Sequence, residues 1–282
     1  MRQGFSKGLA KALSENAKSF DHRIWVVDNS GSMQMEDGHR IANDNGRLSM
    51  LPVSRWEEIK DTVIYHSQMA AVLQSYTQFR LLNDPGPSVG KQEFTVGQAG
   101  RNPEADIVQA HQIMNRTRPD GVTPLTDHIH RMQAEIQQMA PDLQRVGRRV
   151  VVVLATDGLP TDDQGYGGDA ITQEFIKALR SLEGLPIWLV IRLCTDESQV
   201  TEFYNQLDGM LELSLEVLDD FLGECEEVQS FNPWLNYALP MHRCRELGYH
   251  DRLFDLIDER PLTKGELRDS VSYTHLTLPT KA

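Results

Sequence analysis

Cysteine is scarce in this chain, and the little present is badly placed for a disulfide framework or a zinc site. Cys194, Cys225 and Cys244 are odd in number and unrelated in spacing, with no CxxC pair and no Cys/His pattern. They read as reduced, mostly buried thiols of a cytoplasmic protein. Long apolar runs are missing too. The longest, "VVVVLA" and "PIWLVI", fall far short of the roughly 20 residues a membrane helix needs. The opening "MRQGFSKGLAKALSENAKSF" lacks the apolar core of a signal peptide, so no membrane insertion is expected. Cationic residues are the minority: 28 Lys and Arg against 41 Asp and Glu leave a net charge of −13. That balance argues against nucleic acid or anionic lipid as partner, because phosphate contacts need clustered cations. The glycines of "SVGKQ" and "GQAGRNPE" form no GxxxxGK[ST] loop, and no GxSxG elbow occurs.

What is present is the balance of a globular protein, 40% hydrophobic and 24% charged over 282 residues, which suits one large domain with an appendage. An amphipathic helix is expected within residues 1–20, from Phe5, Leu9 and Leu13. "RIWVV" is apolar without alternation, as a strand buried on both faces of a parallel sheet would be. Residues 34–53 are polar and turn-rich and are expected to form a loop. "SRWEEIKDTVIYHSQMAAVLQS" opens with Ser54 and Glu57 at capping-box spacing. "TQFRLLN" follows as a strand, "QEFTVG" as a short antiparallel edge strand, and "PEADIVQAHQIMNR" as a helix. Leu125, Ile129, Met132, Ile136 and Met139 then mark the clearest helix, expected to end near Pro141. Two further buried strands, "RVVVVLAT" and "PIWLVIRL", alternate with helices, and a last strand lies near "LELSLEVL". The alternation predicts an α/β fold: a doubly wound, mostly parallel six-stranded sheet over residues 21–231. Residues 232–270 read as a helical extension or the start of a second module. Residues 271–282 resemble translated adapter sequence and are set aside as a non-native tail.

Ligands of such sheets sit outside the carboxyl ends of the strands, where strand order reverses. After "RIWVV" comes Asp28-Asn29-Ser30-Gly31-Ser32, and after "RVVVVLAT" comes Asp157-Gly158. Before the clearest helix stands Gly121-Val122-Thr123-Pro124. Asp28, Ser30, Ser32, Thr123 and Asp157 are therefore candidate oxygen ligands for one hard cation, Mg²⁺ before Zn²⁺ or copper. Each stretch has a plainer reading. "NSGS" is good turn chemistry, and Thr123-Pro124 makes a good N-cap with proline at the first helical position. Capping and ligation are compatible, since a hydroxyl oxygen carries two lone pairs and a proton. An EF-hand over "DNSGSMQMEDGH" fails, because Met33 holds its glycine position and His39 its glutamate position. Glu36, Asp37, Asp162 and Asp163 read as a solvated acidic rim. His128 and His130, two apart on a helix, cannot share a ligand.

"DNSGS" resembles the DxSxS motif of von Willebrand factor type A (vWA) domains. "GVTPLTD" resembles that family's threonine loop and "LATDG" its second aspartate loop, and the three occur in the family's order. The resemblance implies a Rossmann-like fold with a metal-ion-dependent adhesion site (MIDAS) at its top. It makes Ser30, Ser32 and Thr123 hydroxyl ligands and Asp28 and Asp157 carboxylate ligands, with Mn²⁺ or Ca²⁺ as alternatives to Mg²⁺. It implies a protein partner whose Asp or Glu fills an open coordination position, and no catalysis. Val122 departs from the pattern, standing where the family often has a second glycine. Two other functions remain open from the sequence: a metal-dependent phosphoryl-transfer or hydrolytic enzyme at the same site, and a metal-stabilised scaffold that binds through residues 232–270.

Overall fold

The computed structural model describes residues 5–44 and 47–268; the expected tail at 271–282 lies outside them. Helix α1 (Lys7–Asn16) leads into β1 (Phe20–Val27), then a hairpin of β2 (Gly38–Asp44) and β3 (Arg47–Val53), and α2 (Arg55–Leu73). Next come β4 (Thr77–Leu81), β5 (Glu93–Val96), α3 (Pro103–Arg116), α4 (Leu125–Val146) and β6 (Arg149–Thr156). The chain continues with α5 (Asp169–Arg180), β7 (Ile187–Leu193), α6 (Ser198–Asp208), β8 (Leu215–Leu218) and α7 (Phe221–Phe231). Then come α8 (Leu239–Glu246) and α9 (Arg252–Leu256), and residues 264–268 are again helical. Among the described residues no helix is long and apolar enough to cross a membrane.

The main sheet has six strands in the order β5-β4-β1-β6-β7-β8. All pair in parallel except the edge strand β5, which runs antiparallel to β4. This is the doubly wound α/β fold. Strand periodicity assigns the two faces. Ile24, Val26, Val152, Leu154, Leu189 and Ile191 point to one side, where Ile129, Met132 and Ile136 of α4, Leu179 of α5 and Tyr204 of α6 cover them. Trp25, Val27, Val151, Val153, Phe79 and Val190 point to the other, under Trp56, Ile59 and Val63 of α2 and Ile113 and Met114 of α3. Burying strands on both faces removes the need for alternation, so these strands read as continuous apolar runs.

At β6 and β7 part of the second face is covered by the C-terminal residues. Gly248 approaches the sheet so closely that a Cβ there would meet Val151 at 2.7 Å, and the His250 ring lies against Trp188, tilted by 37°, with ring centroids 4.1 Å apart. Leu235, Met241, Leu247 and Phe254 also bury Leu9 and Leu13 of α1 in a third cluster. Two arginines inside buried strands find their partners here: Arg23 Nε donates to the Leu247 carbonyl at 2.9 Å, and Arg192 pairs with Glu58 and Glu246. Glu246 also accepts from His66 Nε2 and from Arg243 Nη1, both at 2.8 Å.

Three expectations are corrected. Residues 34–53 are not a loop. After a short 3-10 turn at Gly31–Gln34, β2 and β3 form a separate two-stranded antiparallel sheet. It joins no other strand, so it carries none of the apolar runs that flagged the main strands; it docks through the His39 backbone N–H on Glu58 at 2.8 Å and Arg40 on Asp61 at 2.6 Å. Helix α4 does not stop at Pro141 but runs through it to a left-handed cap at Gly147 (φ 66°). Its apolar stripe continues past the proline through Leu143, which is buried and holds the last turn down. Thr123 does not cap α4 either: Pro124 occupies the N-cap, and Leu125 N donates to the Thr123 carbonyl at 2.8 Å.

Candidate metal centre

Strands β1 and β6 are neighbours, and strand order reverses between them, since the chain runs outward to β5 first and then back to β6 and on to β8. Asp28 and Asp157 stand at the carboxyl ends of these two strands. The Asp28 backbone is still part of the ladder, donating to the Ala155 carbonyl at 2.8 Å. Its carboxylate then folds over the turn: Oδ1 accepts the Ser30 N–H at 2.8 Å, and Oδ2 accepts the Thr156 hydroxyl at 2.7 Å. The extended backbone of Ser30 starts the 3-10 turn, which brings two hydroxyls to one side, Ser30 Oγ and Ser32 Oγ 3.1 Å apart. Ser32 Oγ donates to Asp157 Oδ1 at 2.8 Å. Asp28, Ser30, Ser32 and Asp157 thus form one continuous cluster.

The threonine loop is stitched to the same turn by backbone. Gly31 N donates to the Gly121 carbonyl at 3.2 Å and Asp120 N to the Asn29 carbonyl at 2.8 Å. Asn83, two residues past β4, is the brace between the loops: its N–H donates to Asn29 Oδ1 and its side-chain amide to the Val122 carbonyl, both at 2.8 Å. Gly121 takes the left-handed conformation (φ 97°), and a Cβ there would meet Asn83 Oδ1 at 2.7 Å. Val122 has no positive φ, so the missing second glycine has no backbone cost. Thr123 is buried, with its N–H on Thr161 Oγ1 at 2.9 Å. Its loop brings it to this edge, but its hydroxyl takes no part in the bonds linking the other four residues.

Burial raises the Asp28 carboxyl above the ordinary aspartate range, and the neighbouring charge of Asp157 raises it further. Burial likewise raises Asp157, against the pull of Arg55 and Ser32. Two carboxylates, both nearly inaccessible and both resisting ionisation, favour any cation that neutralises them. The donor set is entirely oxygen and fits Mg²⁺ better than a softer ion.

Sequence reading missed one charge in this cluster. Arg55, 2% exposed, donates from Nη1 to Asp157 Oδ2 at 3.0 Å. The rest of its guanidinium forks onto Asp37 at 2.7 and 2.6 Å and reaches Glu197 at 2.9 Å. Asp37 is therefore not a free member of the acidic rim; the hydrogen bonds from Arg55 hold its carboxyl below the usual range. One signal was available. Arg55 is the first residue of α2 after the Ser54 cap, and a cation at a helix N-terminus opposes the macrodipole unless something else holds it. Asn83 and Thr156 left no comparable mark.

No protein-family model matches the chain, and no curated protein matches it. Among solved structures, the pilus adhesin SpaC from Lactobacillus rhamnosus GG in its open conformation is 16% identical, with 71% of this chain and 28% of that chain covered at a TM-score of 0.39. The chain spans less than a third of the adhesin's length, and a likeness this slight carries no argument about function.

Proposed function

We propose that this chain is a vWA-like, Mg²⁺-dependent protein-binding domain, with Asp28, Ser30, Ser32, Thr123 and Asp157 holding the ion. The observation that carries the reading is the bonded cluster of two buried carboxylates and two hydroxyls at the point where strand order reverses. Bound there, the ion would offer an exchangeable position to a carboxylate of the partner. The residues of the chain do the rest. Thr156 and the Ser30 N–H fix the Asp28 carboxylate, Arg55 and Ser32 fix that of Asp157, and Asn83 holds the threonine loop against the serine turn.

A phosphoryl-transfer enzyme would need a free arginine or a general base beside the ion. The arginine at hand, Arg55, is committed to three carboxylates, which favours the binding reading. Calorimetric titration of Mg²⁺ into the wild type, Asp28→Ala and Asp157→Ala tests the assignment. Both substitutions are expected to abolish binding while the fold persists, because Asp37 and Glu197 still neutralise Arg55 when Asp157 is removed. Unchanged Mg²⁺ affinity in both variants overturns it.

A further inference from the structure

The loop between β6 and α5 carries an aromatic side chain out into solvent on a backbone that is firmly held. Tyr166 is 70% exposed. Asp162 N donates to the Tyr166 carbonyl, and Asp162 Oδ1 accepts from the N–H groups of Gln164 and Tyr166, all at 2.9 Å. Gly165 closes this turn in the left-handed conformation (φ 83°), and a Cβ there would meet Val122 at 3.1 Å. The turn is fastened to the threonine loop by two hydrogen bonds. Thr123 N donates to Thr161 Oγ1 at 2.9 Å, and Thr161 N donates to the Thr123 carbonyl at 3.0 Å. A lone exposed hydrophobic side chain is ordinary, and Val72, Val108 and Val146 are such cases on α2, α3 and α4. Tyr166 differs because its turn is tied through Thr161 to a residue of the proposed metal shell. An aromatic side chain on backbone already ordered loses little freedom on binding.

The charge around the ring is of one sign. Residues 157–176 include Asp157, Asp162, Asp163, Asp169 and Glu174 and no Lys, Arg or His. Asp163, in the same turn as Tyr166, is exposed. A second acidic group arriving here would be repelled, and a purely apolar one would strip water from Asp163 without replacing it. A guanidinium or ammonium group suits both features. The face of the ring attracts it, its apolar stem covers the ring, and the acids balance its charge. We propose, resting on the metal reading of the β1–β6 site, that Tyr166 and Asp163 form a subsite for an arginine or lysine of the partner, a few residues from its metal-bound carboxylate. The recognised element is then a short segment with one acid and one neighbouring cation, and the turn clamped by Thr161 sets the spacing between the two.

The test pans random dodecapeptides displayed on phage against the full chain in MgCl₂ and elutes them with EDTA. Calorimetry measures the Mg²⁺ affinity of the same chain without peptide. The eluted sequences are expected to share one Asp or Glu with an Arg or Lys a few positions away. Synthetic peptides from that pool are expected to bind Tyr166→Ala at least about fivefold more weakly than the wild type. Tyr166→Phe keeps the ring and should bind them as the wild type does, and Asp163→Asn should bind them more weakly with a smaller salt dependence. All three variants should keep wild-type Mg²⁺ affinity, because the turn is closed by backbone groups and by Asp162. If Mg²⁺ binds, a pool without a cation near the acid, or unchanged peptide affinity in Tyr166→Ala, overturns the subsite and leaves the metal reading standing. A chain that binds Mg²⁺ but yields no EDTA-eluted peptide also overturns the subsite, and absence of Mg²⁺ binding overturns both.

Discussion

Replacing Arg55 with methionine removes the counter-charge of Asp157 while keeping much of the buried volume. The Asp157 side chain is 0% exposed, whereas Asp37 and Glu197 are 47% and 58% exposed. The latter two return to water at little cost, because exposed pairs contribute only ~0–1 kcal/mol. The Asp157 pair dominates. Breaking a buried ion pair from one side costs ~3–5 kcal/mol, and taking ~3 kcal/mol at ~2–4 °C per kcal/mol for a chain of this size gives a Tm loss of about 6–12 °C in EDTA. The loss depends on pH. Burial already raises the folded Asp157 carboxyl, and without Arg55 it rises further. A carboxyl raised on folding takes up a proton on folding, so its stability penalty is absent near pH ~4 and grows as pH rises through the interval above it. The variant therefore approaches the wild type in acid and falls furthest behind at neutral and alkaline pH. Removing a positive charge beside the proposed ion also strengthens ion binding, so saturating MgCl₂ raises the Tm of Arg55→Met by more than it raises that of the wild type. Scanning fluorimetry at several pH values, with EDTA or MgCl₂, reads all of this. A loss under about 2 °C in EDTA, or a Mg²⁺ increment no larger than that of the wild type, would refute the reasoning.

Glu246 is fully buried and serves His66, Arg192 and Arg243 together, so Glu246→Gln should cost ~3–5 kcal/mol in urea unfolding; a loss below ~1 kcal/mol would show that the C-terminal residues are held by packing alone. Gly121→Ala places a Cβ on a left-handed residue and 2.7 Å from Asn83 Oδ1, so a stability loss of ~1–3 kcal/mol and weakened Mg²⁺ binding are expected, and wild-type values of both in the same titrations count against Asn83 as the brace.

The fold was legible wherever burial left a repeating mark. Strands buried on both faces show as "RIWVV", "RVVVVLAT" and "PIWLVIRL", and the edge strand β5 was also legible as antiparallel. The β2–β3 hairpin carried no mark, because its strands pair only with each other and present no apolar run to the main core. Pro141 misled because proline is read as a helix end, whereas here Leu143 packs beyond it and keeps the last turn in place. The candidate site was legible in its short motifs, since Asp28, Ser30 and Ser32 are local to one turn. What joins the motifs was not. Asn83 and Thr156 sit in ordinary strand-end sequence, and the partners of Arg55 lie 18, 102 and 142 residues away. Pairings of that range leave no periodicity to find.

Arg55 also bears on the kind of partner the proposed site would suit. Its charge is shared between Asp157 inside and Asp37 and Glu197 at the exposed margin, at 2.6 to 3.0 Å, so it adds no free positive charge to the centre, and the attraction there for a partner carboxylate would come from the ion itself. Asp37 and Glu197 lie at the exposed margin with charge of the opposite sign, so a carboxylate approaching anywhere but the centre meets repulsion. An ion at the centre and acids around it would thus select a single, well-placed Asp or Glu over a generally acidic surface. A partner peptide with one carboxylate should accordingly bind better than one with several adjacent acids.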